Sequence, residues 1–216
     1  MLSELTWYEG RRDELPSDLV AADSFTHVRP LDPDFEGLLR ALPHSIRSRV
    51  RQGEEYGLVF RPVTDARDVR HYHALAVRTV SRKGGLPKPL SLYQRIFRSL
   101  VPPGLARFDL VEHQGRAIAG SVHFTYRGTA TNWLTVSDDR KWDLRPNHFI
   151  MARVMGELCA AGFREYNLGG SPADAEGLIH FKEAWGGARR LVLELRRRHM
   201  LHRLLRGELP PRPAPG

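Results

Sequence analysis

The chain has 216 residues, 33 lysines and arginines against 25 aspartates and glutamates, and a formal charge of +8. Hydrophobic residues make up 41% and charged residues 27%, the balance of a folded globular protein with room for one domain and part of a second. There is no apolar run of membrane-spanning length, and one cysteine cannot form an internal disulfide. The basic excess points to anionic partners: nucleic acid, a phosphorylated cosubstrate or an acidic membrane face.

The opening residues, MLSELTWYEGRRDEL, lack the apolar centre of a signal peptide, so a cytoplasmic protein is expected. Trp7, Phe25 and Val28, scattered among polar residues up to Pro30, predict short strands or a partly extended arm. Phe35, Leu38, Leu39 and Leu42 are spaced as on a helix. After Pro43 the segment HSIRSRVRQGEEYG forms another, with Arg47, Arg49 and Arg51 as either a solvated face or a phosphate contact. Leu58 to Val63 is a strand, and Asp65 with Asp68 marks the start of a helix running to about Val80. The loop SRKGGLPKP is either mobile or a binding element, and helical spacing returns from Leu92 to Leu100.

Three strands follow, at 106–112, 117–126 and 129–137, with turns at His113-Gln114-Gly115 and Arg127-Gly128 that predict an antiparallel meander. Strict alternation gives the second and third strands one polar face each. That face is either wet or lines a substrate channel, with His123 as a candidate base and Thr131, Asn132 and Trp133 as candidate substrate contacts. His71-x-His73 has no second pair at ligand spacing, so no metal site is expected, and Cys159 falls within an apolar helical pattern as a structural thiol.

The stretch from Pro146 to Trp185 organises the chain. Pro146 suits a first helical turn, Met151, Val154, Leu158 and Ala161 recur at three and four, and Gly162 stops the helix. A strand from Phe163 to Leu168 runs into Gly169-Gly170-Ser171-Pro172, and a second helix begins near Ala175. Strand, helix, strand in this order demands a right-handed parallel crossover, whose helix N-terminus can hold an anion. On the second helix Leu178, Phe181 and Trp185 share a side, and Lys182 lies only about 40° from Leu178. Its ammonium either snorkels to water or is aimed into a cleft. A last strand at 188–195 ends in an arginine cluster beginning at Arg196. Met200 to Arg206 is a short basic helix, and ELPPRPAPG has the composition of a disordered tail.

This order of elements resembles the GNAT acyltransferase fold, an α/β mixed sheet with an antiparallel meander and a parallel βαβ crossover. The segment RPNHFIMARVMGELCAAGFREYNLGGSPADAEGLIHFKEAWGG is similar to the closing motif of the FemABX-like, peptidoglycan bridge aminoacyltransferase-related branch. Its Gly-x-x-x-Phe-Lys-x-x-x-Gly signature is met here by Gly177, Phe181, Lys182 and Gly186. Upstream, Arg78-x-x-x-Arg82 also resembles that branch, and the likeness covers about residues 25–196.

The resemblance implies transfer of an acyl or aminoacyl group to an amine, with Lys182 beside the reacting carbonyl together with Phe181. Arg145, Asn147, Gly169 and Gly170 are expected to hold the donor, and Arg78 and Arg82 to border the substrate cleft. No cofactor is expected to stay bound; acyl-CoA or aminoacyl-tRNA serves as cosubstrate. The acceptor is a small or peptidoglycan-precursor-like amine. Branch members carry two GNAT repeats, so residues 1–56 are expected to be an arm and basic helix left from a preceding repeat, 57–196 the acyltransferase domain, and 197–216 a basic helix and tail. A homodimer would rebuild a site formed between repeats. The usual Gln/Arg-x-x-Gly-x-Gly/Ala pyrophosphate loop is replaced by Leu144-Arg145-Pro146-Asn147, which sets coenzyme A against tRNA. The alternative from another class is a noncatalytic basic module that binds tRNA or another polyanion.

Overall fold

A computed structural model describes residues 4–8, 19–171 and 175–197. The expected basic helix and proline-rich tail beyond residue 197 lie outside these. In chain order the elements are β1 (Glu4–Tyr8), β2 (Leu19–Pro30), α1 (Phe35–Arg40), α2 (His44–Glu55), β3 (Val59–Pro62), α3 (Ala66–Arg82) and α4 (Leu90–Leu100). Then follow β4 (Ala106–His113), β5 (Arg116–Tyr126), β6 (Thr129–Ser137), a 3-10 helix (Asp139–Leu144), α5 (Pro146–Ala160), β7 (Glu165–Gly170), α6 (Glu176–Ala184) and β8 (Ala188–Arg197). The caps follow the side chains available. Asp34 accepts from the Gly37 amide at 2.8 Å and Asp65 from the Arg67 amide at 2.7 Å, while Pro146 opens α5, where a missing N–H costs nothing.

All eight strands form one mixed sheet in the order β1-β8-β2-β7-β6-β5-β4-β3. The expected meander is β4-β5-β6, and the expected crossover carries the chain from β6 through α5 to a parallel β7. Of the two readings for the residues up to Pro30, short strands or a partly extended arm, the described ones form strands of the sheet. β2 pairs with β7 on one side and with β8 on the other, so no break in the sheet falls at residue 57.

Helices cover both faces. On one side α5, flanked by α1 and α2, buries Phe149, Ile150, Val154 and Leu158 against Val111, Ala119, Ala130, Tyr166 and Leu168. On the other, Val69, Tyr72 and Leu75 of α3 and Tyr93 and Ile96 of α4 pack on Phe108, Leu110, Val122 and Val136. Because α5 is covered on nearly every side, it is apolar almost all round rather than striped.

Strict alternation fails at two bulges. Val111 pairs with Ala119 and Glu112 with Ala117, which leaves Ile118 as an extra residue. Val122 pairs with Leu134 and His123 with Asn132, which leaves Trp133 as another. Ala130 and Val136, on one face by simple counting, therefore lie in opposite cores. The expected continuous polar face does not form.

One polar cluster is sealed under α5. His123 is 1% exposed and its Nε2 lies 2.7 Å from the Tyr166 hydroxyl, while its Nδ1 is 3.8 Å from Oδ2 of the fully buried Asp109. Arg107 Nε donates to Asp109 Oδ1 at 2.7 Å. Burial drives His123 down to about 3, so it is neutral, and pushes the Asp109 carboxyl up to about 6 despite the opposing pull of Arg107.

The Asp109 value has a definite sign for stability. The folded chain holds this proton more tightly than the unfolded one, so the site's contribution falls as pH rises from about 4 to about 6. Asp109→Asn should melt close to wild type near pH 4 and gain relative to it by pH 7. A melting-temperature difference that does not change with pH would refute this.

Candidate active site

β6 and β7 are parallel neighbours for only three residue pairs: Thr129 with Glu165, Ala130 with Tyr166 and Thr131 with Asn167. Beyond that point β6 continues to Ser137 and β7 to Gly170 without pairing, so the sheet forks. A cavity of about 550 Å³ fills the fork. β6 lines it with Asn132, Thr135 and Ser137, β7 with Leu168, and the first turns of α5 with Asn147 and Met151. α6 adds Gly177, Leu178, Phe181 and Lys182, and the end of α3 adds Thr79, Arg82 and Lys83. Trp142 of the 3-10 helix completes the rim.

Lys182 does not snorkel. It is 5% exposed, and its ammonium donates to the carbonyls of Gly169 and Gly170 at 2.7 Å each and to Ser171 Oγ at 2.9 Å. Among the described residues it has no carboxylate partner. Burial, with a smaller effect from the Lys83 charge, lowers it to about 8. A positive charge thus stands in the cavity wall, balanced among the described residues by carbonyl dipoles and a hydroxyl. Phe181 lines the same wall and is backed by the His148 and Trp185 rings, with centroids at 5.1 and 6.4 Å.

The turn that receives Lys182 depends on Gly169. Its φ is +81°, and a Cβ there would stand 2.9 Å from the Asn132 carbonyl oxygen. Only glycine both adopts that backbone and fits where β7 leaves β6. On the other wall the Thr79 hydroxyl accepts from the Ser137 amide at 3.1 Å and donates to the Ser137 carbonyl at 3.2 Å, fastening α3 to the end of β6. Trp142 Nε1 donates to Ser137 Oγ at 2.8 Å, and the Arg82 guanidinium lies 4.5 Å from its ring centroid.

Of the residues singled out from sequence, Lys182, Phe181, Asn147, Arg82 and Asn132 meet at this cavity. The others are placed elsewhere. His123 is sealed in the core, which removes it from any substrate. Arg145, at φ +62°, turns its Nε to Gln52 of α2 at 3.0 Å. Gly169 and Gly170 act through their carbonyls on Lys182 rather than from the cavity wall. Arg78 bonds Asp139 at 2.6 Å and borders a separate hollow of about 420 Å³ with Arg116 and Arg140. Trp133 packs between Tyr93 and Phe124, and Thr131 occupies the last paired position of the fork.

Thr79, Lys83, Thr135, Ser137 and Trp142 were missed. Thr79 could have been found, since it precedes Arg82 by three residues and shares its helix face. Among the described residues no cluster of three or more histidine, cysteine or acidic side chains could hold a metal, and no helix is long and apolar enough to cross a membrane.

The acetyltransferase (GNAT) domain family matches residues 40–183. No curated protein sequence matches significantly. In fold the chain is similar to the crystal structure of FemX, with a TM-score of 0.72 at 17% identity over 93% of this chain and 67% of that one. It is also similar to the structure of L-PGS from Bacillus licheniformis, with a TM-score of 0.57 at 12% identity over 88% of this chain and 65% of that one. The chain thus spans about two thirds of the length of each.

Gly169→Ala should cost roughly 1–3 kcal/mol through its positive φ, and the melting temperature should fall by roughly 2–4 °C per kcal/mol. A variant as stable as wild type would remove the fork's dependence on this residue. The Lys182 charge should also be visible in binding. Affinity for an anionic probe such as pyrophosphate should weaken as pH rises through about 8, and Lys182→Met should lose that step. An unchanged pH profile in the variant would place the probe elsewhere.

Proposed function

Because the chain belongs to the acetyltransferase (GNAT) domain family, we propose that it moves an acyl or aminoacyl group from an activated donor to an amine inside the β6–β7 fork. The observation that carries this reading is a cavity with apolar walls, a cationic rim at Arg82 and Lys83, and the buried Lys182 ammonium in its wall. An acyl thioester such as acyl-CoA suits that gradient, with the acyl arm against Met151, Leu168 and Phe181 and the phosphates towards the cations. Aminoacyl-tRNA is the other donor that the FemABX resemblance brings. The acceptor is a small or peptidoglycan-precursor-like amine, and a second copy of the chain is the partner that would close an incomplete acceptor side.

In the reaction the acceptor nitrogen attacks the donor carbonyl carbon, the carbonyl π pair moves onto oxygen, and collapse expels the thiolate or the ribose oxygen. The proton lost by the amine passes to the leaving group or to water. His123 takes no part, since it is buried, neutral and outside the cavity. Lys182 stabilises the oxyanion by its charge. All three ammonium protons already have acceptors, so a direct hydrogen bond would exchange one of them, with the Ser171 hydroxyl the longest of the three. Phe181, braced by His148 and Trp185, keeps water from the acyl group.

The test is a melting scan at fixed salt with excess acetyl-CoA or with charged tRNA. A ligand at about a hundred times its dissociation constant stabilises by about 2.7 kcal/mol. A shift with one donor selects it, and no shift with either contradicts the reading. With the responsive donor, Lys182→Met should lower turnover by about 10²–10³-fold while remaining folded by circular dichroism.

A further inference from the structure

Residues 69–108, which run from α3 through its loop and α4 into β4, contain eight lysines and arginines and no aspartate or glutamate. α3 and α4 pack side by side on one face of the sheet, so their exposed cations face outward together. Arg78 and Arg82 are drawn to Asp139, with Arg78 also near Asp138. Lys83, Lys88, Arg70 and Arg95 have no carboxylate partner among the described residues. Leu86, 94% exposed, is the tip of the loop between α3 and α4, with Lys83 and Lys88 of the same loop on either side of it in sequence. Lys83 begins this loop and also lines the cavity, so the tip stands beside its mouth.

We propose that this loop and the outer side of α3 and α4 seat the protein on a bilayer rich in anionic lipid, with the cavity mouth turned to the surface. Charge complementarity supplies the attraction, and an apolar tip bracketed by lysines has a use at a lipid interface that it lacks on a phosphate backbone. Pro87 and Pro89 carry no backbone N–H, which lowers the cost of pressing the loop among headgroups. Trp142, 45% exposed on the neighbouring rim, has its indole N–H satisfied by Ser137 and offers a second apolar contact at the depth where tryptophan settles. The membrane then presents an amphiphilic substrate directly to the fork.

The whole chain should sediment with vesicles of phosphatidylcholine mixed with phosphatidylglycerol, but not with phosphatidylcholine alone, and less so as salt rises. Leu86→Asp and Lys88→Glu, both at exposed positions outside the cavity wall, should each weaken this by about fivefold or more with unchanged melting temperatures. Tryptophan emission should shift to the blue on binding, and Trp142→Phe should lose that shift. The proposal is overturned if the mixed vesicles bind no better than the neutral ones. It is equally overturned if neither loop substitution weakens binding, or if single-stranded RNA displaces the vesicles with an affinity insensitive to Leu86→Asp. The assay needs no turnover, so its failure and a failure of the acyl-transfer reading are told apart.

Discussion

The buried ammonium of Lys182 is the constraint around which the site is arranged. Desolvating a cation costs several kcal/mol, and hydrogen bonds to a charged group return roughly 1.5–3 kcal/mol each. Three oxygen acceptors therefore about cancel the penalty and leave little surplus for the fold. The lysine is better understood as a charge held ready than as a strut. Meeting its three donors nonetheless dictates the local backbone: the carbonyls of Gly169 and Gly170 must turn inward, Gly169 must adopt a positive φ, and β7 must leave β6 where the Asn132 carbonyl approaches.

The fork is open on one side only. β7 leaves β6 after three pairs, but β2 pairs with its opposite edge as far as Gly170, and β8 in turn supports β2. β2 and β8 thus brace the half of the site that carries Lys182. The other half is held by Thr79 and Trp142, both bonded to Ser137 at the end of β6. A cavity between two braced strands can present its polar groups without first rearranging, which is what stabilising a transient oxyanion requires.

Much of this was legible in the sequence because it is written in short-range patterns. Helical spacing, the Asp65 cap, the glycine turns of the meander and the strand-helix-strand order fixed the elements and the crossover. The angular position of Lys182 beside Leu178 placed its stem on the packed side. What failed depended on partners far away in the chain. Bulges at Ile118 and Trp133 arise from pairing across strands, and each shifts the face of every later residue, so the polar faces of β5 and β6 could not be counted out. His123 and Trp133 were misjudged because distant elements bury them, the first fully against Tyr166 beneath α5 and the second in part against Tyr93 of α4. Arg145 precedes the helix as expected, but its left-handed backbone and Gln52, 93 residues earlier, carry its guanidinium away from the cavity. β2 gave little local signal because its place is set by β7 and β8.

The most direct measurement is a structure of the protein bound to an unreactive thioether analogue of an acyl-CoA or an amide-linked analogue of an aminoacyl-tRNA 3′ end, whichever stabilises it. The account predicts the acyl carbonyl in the β6–β7 fork, facing the Lys182 ammonium, with the phosphates towards Arg82 and Lys83. An acyl group bound outside the fork, or a fork closed by pairing between β6 and β7, would contradict it.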